Sequence, residues 1–120
     1  MSGRRVFLLS MALSLAGVLA PLGLSGQGSG VVYRVPVQGD IELGLAPFVE
    51  RSIREAGQEG AAAVILDIET PGGRVDAAQR MANAIADSRV PVYAYVNRHA
   101  YSAGALIALA TDGIIDFDPV

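Results

Sequence analysis

The chain predicts an α/β fold of layered strands and helices joined in βαβ units with a parallel sheet, and three observations predict it. From residue 31 onward, strand-length apolar runs alternate with stretches of helical periodicity. One run, Ala63 to Ile68, is apolar at nearly every position, as expected of a parallel strand covered on both faces. The junctions where strands give way to helices are short and rich in Gly, Ser and Pro, as in right-handed crossover units.

The elements follow in order. Arg4 and Arg5 precede an apolar stretch from Val6 to Leu24, the pattern of a secretory signal peptide. That stretch of about 19 residues also approaches the roughly 20 that span a bilayer as a helix, so residues 1–26 are expected to be a signal peptide or a membrane anchor. The two arginines hold the N-terminus inside and send the remainder to the exported, periplasmic or extracellular, side. Residues 27–30 close a Gly/Ser/Gln linker, and residues 31–120 form one domain. Within it, Val31 to Val37 is rich in β-branched and aromatic residues, with Pro36 suited to an edge or bulge. Leu45, Phe48, Val49, Ile53 and Ala56 share one helical face, Pro47 fits the first turn, and Gly57 and Gly60 can stop the helix. After Ala63 to Ile68, a second helix is marked by Val75, Ala78, Ala82 and Ile85 and ends at Ser88-Arg89-Val90-Pro91. Val92 to Val96 follows as a strand, and Ala103 to Ala110 as a helix apolar on nearly every side, hence buried.

Composition excludes several function classes. Hydrophobic residues make up 52% of the chain and charged ones 18%, so a packed or membrane-attached protein is expected and not a disordered tail. After residue 30, seven arginines face twelve acidic residues, a formal charge of −5. Nucleic acid is therefore not an expected partner, since a polyanion needs a basic footprint. There is no cysteine, which removes disulfides, thiolate metal sites and a cysteine nucleophile. No metal or cofactor is expected. The chain also contains no lysine.

Two turns at the C-terminal ends of predicted parallel strands, where α/β sheets place their sites, carry the chemistry. In Thr70-Pro71-Gly72-Gly73, paired glycines allow backbone conformations closed to other residues and bring N–H groups near a ligand. In Tyr101-Ser102-Ala103-Gly104-Ala105, Ser102 begins a helix whose free N–H groups favour developing negative charge. Either feature alone is ordinary, a tight turn and an N-cap serine. Together they suggest a nucleophile beside half of an oxyanion hole. A phosphate cradle competes, but neither a three-glycine fingerprint nor a Walker lysine is present. His99 is read as a solvent-facing loop residue, Asp76 as a first-turn acid stabilised by the helix dipole, and Asp67 and Glu69 as hydrogen-bond partners of the sheet.

Ile65-Leu66-Asp67-Ile68-Glu69-Thr70-Pro71-Gly72-Gly73-Arg74-Val75-Asp76, then Val96-Asn97, then Ser102 to Ala110, resembles the N-terminal protease domain of the NfeD family. These are membrane-bound Ser-Lys peptidases related to signal peptide peptidase A and more distantly to ClpP. The resemblance runs from Val31 to about Asp112. It implies a ClpP/crotonase-like fold, incomplete at the C-terminus, with Ser102 as nucleophile and the N–H groups of Gly73 and Ala103 as oxyanion donors. It further implies that Gly72, Gly73, Arg74 and Val75 bind the backbone of a polypeptide substrate. Hydrophobic segments of membrane proteins as substrate, a stomatin-like membrane protein as partner, and homo-oligomerisation are implied by the same resemblance.

One departure matters. Family members activate the serine with a lysine that lies downstream, beyond residue 120, and arginine cannot replace it because it stays protonated. The chain is therefore expected to be an inactive fragment. Two other classes stay open: a non-catalytic membrane-attached scaffold or binding module, and a crotonase-like enzyme acting on acyl-CoA thioesters, against which export argues because CoA is cytoplasmic.

Overall fold

A computed structural model describes residues 30–116; the expected signal or anchor segment and most of the linker lie outside the described residues. Four strands, β1 (Val32–Gln38), β2 (Ala63–Thr70), β3 (Val92–Ala100) and β4 (Gly113–Asp116), alternate with three helices, α1 (Leu45–Gln58), α2 (Val75–Ala86) and α3 (Ala103–Leu109). All neighbouring strands pair in parallel, in the order β1-β2-β3-β4. A sheet built in chain order through crossovers of one hand sends every helix to the same face. Accordingly, one core joins Val35, Val37, Val64, Leu66, Ile68, Val92 and Ala94 of the strands to Val49, Ile53, Met81, Ile85 and Ile107 of the helices.

The other face differs from the expectation for β2. Among the described residues no helix covers it, and it carries Arg34 and Pro36 of β1, Ile65 and Asp67 of β2, and Tyr93 and Tyr95 of β3 in register. Asp67 is nonetheless 1% exposed. Its Oδ2 accepts hydrogen bonds from Nε and from a terminal nitrogen of Arg34, the first at 2.9 Å. A carboxylate at that depth requires such a partner, because an unpaired buried charge is costly.

Pro36 lies on the edge strand β1, where its missing N–H removes no ladder bond. Helix α1 runs two residues past the expected end: Gly57 stays inside it, covered by the Arg89 side chain, and the turn comes at Gly60, at φ 65°. Helix α3 buries Ala103, Gly104, Ile107 and Ala108, but Leu109 is 76% exposed, so it is not buried all round. The larger correction to an element concerns β3. It continues from Val96 through Asn97, Arg98 and His99 to Ala100, polar residues that hide the strand from apolar patterning.

Candidate active site

That extension places the site. Ile68 pairs with Val96, but Thr70 pairs with Ala100, so β3 spends four residues where β2 spends two. Such an irregularity re-aims the strand end. The Tyr101 N–H then donates to the Thr70 carbonyl at 3.1 Å, and the turn that follows lies against the double-glycine bend. A Cβ on Gly72 would stand 2.9 Å from Ser102 Cβ, 3.1 Å from the Tyr101 carbonyl oxygen and 3.5 Å from Ser102 Oγ. Glycine at 72 is thus the condition for the two turns to meet.

Ser102 is exposed and has φ 52° and ψ −117°. It is the one non-glycine residue with positive φ among the described residues. That backbone costs about 1–3 kcal/mol for an L residue and persists only where neighbours over-determine it, typically at functional sites. A strained turn between a strand and a helix is one way in which hydrolases, the α/β-hydrolases among them, present a nucleophilic serine above a sheet. The hydroxyl makes no cap to its helix, although a serine at a helix start ordinarily does. The side chain is therefore held up at the turn without being spent on structure.

Around it, backbone donors are in part spent and in part free. The Ile41 N–H donates to the Gly72 carbonyl at 2.9 Å, and the Arg74 N–H donates to the Ile41 carbonyl at 2.8 Å. This parallel bridge uses one side of the short extended segment. In extended chain the groups of successive residues alternate in direction, so the N–H and C=O of Gly73 point to the opposite side. Neither has a hydrogen-bond partner among the described residues. The Ala103 N–H is likewise unpaired, as a first-turn helical donor is.

The remaining site residues are placed as follows. Arg74 forms a two-pronged ion pair with Asp76, Nε to Oδ1 at 2.9 Å and a terminal nitrogen to Oδ2 at 2.8 Å. The Ala77 N–H donates to Asp76 at the start of α2. The Arg74 hydrogen bond, more than the helix start, holds the Asp76 carboxyl below its usual range. Val75 opens α2 and is 62% exposed. His99 stacks on Tyr101, ring centroids 4.8 Å apart, and no hydrogen bond joins it to Ser102. A cleft of about 460 Å³ between α1 and α2, lined by Glu50, Arg54, Arg80 and Arg89, includes neither Ser102 nor the glycine pair. Strained backbone and free donors, and not a cleft, mark the candidate site. Thr70 and Gly104, which also build the candidate site, fall in the two turns that the sequence singled out but were given no role of their own, and Ile41 was not singled out; Gly104, two residues after the serine in a tight turn, was the available signal.

Residues 31–118 match the model of the family described as NfeD1b, N-terminal domain. The chain belongs to that family. It is similar to the membrane protein NfeD1b of Bacillus subtilis (strain 168), 48% identical over 102 residues that cover 85% of this chain and 23% of the relative. It is also similar to the membrane-bound protease PH1510 of Pyrococcus horikoshii, 37% identical over 84 residues, 68% of this chain and 19% of that protein. The chain thus spans about a fifth of the length of these curated relatives. Among solved structures it resembles a serine-to-alanine mutant of the 1510-N membrane-bound stomatin-specific protease, with TM-score 0.70 and 33% identity over 75% of this chain and 45% of that one. A lysine-to-alanine mutant of the same protease in complex with a substrate peptide matches with TM-score 0.69 and 36% identity, over 72% and 41% of the two chains. ClpP1 of Listeria monocytogenes, 24% identical with TM-score 0.63 over 65% of this chain and 46% of that one, shares the fold. The fold is therefore ClpP-like, and the relatives are proteases and membrane proteins. Among the described residues, no helix is long and apolar enough to cross a membrane.

Proposed function

We propose that this chain is the nucleophile-bearing part of a membrane-associated serine endopeptidase, with Ser102 as the attacking residue. One observation carries the reading: an uncapped, exposed serine held at positive φ against Gly72, with unpaired amides on both sides of the junction. Ser102 Oγ attacks the carbonyl carbon of a peptide bond, and the carbonyl oxygen takes up negative charge. The N–H groups of Gly73 and Ala103 receive that charge; each well-aimed donor is worth about 10² to 10³ in rate. The free N–H and C=O of Gly73 also suit an extended substrate backbone, which adds as a strand beside Gly72 to Val75.

The proton of the hydroxyl must pass to a base. No lysine is present, and the arginines stay protonated, so this chain supplies the nucleophile without its base and is inactive alone. That a relative was solved as serine and lysine mutants supports a Ser-Lys pairing in the complete protein. Exposed Val75 and Tyr101 beside the two turns favour hydrophobic segments as substrate. A stomatin-like membrane protein is the partner that the stomatin-specific relative suggests, with the domain on the exported side and assembled as a homo-oligomer.

A fluorophosphonate probe tests the reading. Applied to the longest product that the gene encodes, it should label Ser102 and should not label the Ser102→Ala variant. Absence of labelling in that product would favour the non-catalytic scaffold.

A further inference from the structure

Thr70 is fully buried at the end of β2, and its hydroxyl, its carbonyl and its methyl are committed to the site. Its hydroxyl donates to the Gly39 carbonyl at 2.5 Å and accepts from the Gly72 N–H at 3.1 Å. A hydroxyl has one proton to give, so these two bonds define its orientation. Its backbone carbonyl accepts from Tyr101 at 3.1 Å, and its Cγ2 occupies the place where a Cβ on Gly104 would stand. Thr70 therefore touches the loop after β1, the double-glycine turn, and both sides of Ser102. Gly39 is pinned a second time, its N–H donating to the Glu69 carbonyl at 3.0 Å, so the Thr70 hydroxyl bears against a fixed point.

We propose that Thr70 is a positioning residue: its side chain sets the placement of the double-glycine turn relative to Ser102, and with it the aim of the Gly73 amide. Valine at this position would keep the shape and lose both hydroxyl bonds, leaving the N–H of buried Gly72 unpaired and releasing the carbonyl of the exposed Gly39. Serine would keep the hydroxyl and lose the methyl against Gly104. The inference rests on Ser102 being the nucleophile, and its test separates the two.

The longest product of the gene is compared as wild type, Thr70→Val and Thr70→Ser, with fluorophosphonate labelling of Ser102 normalised to the folded fraction and amide exchange followed at Gly72 and Tyr101. Displacing a reacting group by about 1 Å can cost about 10²-fold, so Thr70→Val should slow labelling by about that factor. Thr70→Ser should restore most of the rate. A merely structural threonine would alter the folded fraction and not the normalised rate. Labelling of Thr70→Val at the wild-type rate overturns the proposal. If the wild type does not label, the peptidase reading fails, and exchange decides on Thr70 alone: faster exchange at Gly72 in Thr70→Val sustains its hold on the turn, and unchanged exchange overturns it.

Discussion

Replacing Gly73 by alanine should be among the most damaging single changes in this domain, and the structure supplies the size of the effect. The residue has φ 152°, a backbone region that an L side chain enters at a cost of about 1–3 kcal/mol. A Cβ there would overlap the Ile41 carbonyl oxygen and lie 2.7 Å from Ile41 N and 2.9 Å from its carbonyl carbon. Those are backbone atoms, and Ile41 is 1% exposed, so a rotamer change cannot relieve the overlap. Separating the segments breaks the Ile41–Gly72 and Arg74–Ile41 hydrogen bonds, each worth about 1 kcal/mol net. The expected loss is about 3–5 kcal/mol in urea unfolding. Gly39→Ala is the control, since Gly39 also has positive φ, at 74°, but open space around its Cβ position; it should cost about 1 kcal/mol. Equal losses for the two variants would refute the claim that close approach to Ile41, and not the dihedral alone, demands glycine at 73.

Three further outcomes follow from particular contacts. Ser102→Gly should be more stable than Ser102→Ala by about 1 kcal/mol in thermal or urea unfolding, because glycine relieves the positive φ that alanine keeps, while neither variant accepts the fluorophosphonate label. Arg34→Ala should cost about 1–3 kcal/mol by stranding the Asp67 carboxylate, a range reduced because the Arg34 side chain is 73% exposed; a double-mutant cycle with Asp67→Asn checks that the loss is shared. For Asp76, a carboxyl held below its usual range by Arg74 contributes stability that is present above the unfolded pKa and lost as pH falls through the folded one. Acid titration of stability should therefore be shallower in Asp76→Asn below the ordinary aspartate range, and identical curves would remove that assignment.

Much of the fold was legible in local pattern. Periodicity set by the geometry of a strand or helix depends on near neighbours in the chain, so the runs at Ala63 to Ile68 and Val92 to Val96 and the helical faces at Leu45 to Ala56 and Val75 to Ile85 fell where the elements formed. Paired glycines and a serine before a buried helix marked the turns for the same local reason. Three features were invisible. Asn97, Arg98 and His99 belong to β3 because its ladder with β2 resumes beyond them at Thr70 and Ala100, not through their own apolarity. Helices cover one face of β2 because of the order and hand of the crossovers, although Ile65 on its other face looks equally interior in sequence. Thr70 and Ile41 look like an ordinary strand end and an ordinary loop residue.

The sequence by itself determined the alternation of strands and helices, the family resemblance, the lack of lysine and cysteine, and the identities of Ser102 and the glycine pair. Only the tertiary structure decided that these residues meet: the irregular pairing of β3 with β2, the bridge from Ile41, and the hydroxyl of Thr70 are contacts between segments some 30 residues apart. Local propensity records which conformations a residue can adopt; which atoms those conformations bring together depends on the packing of the whole sheet.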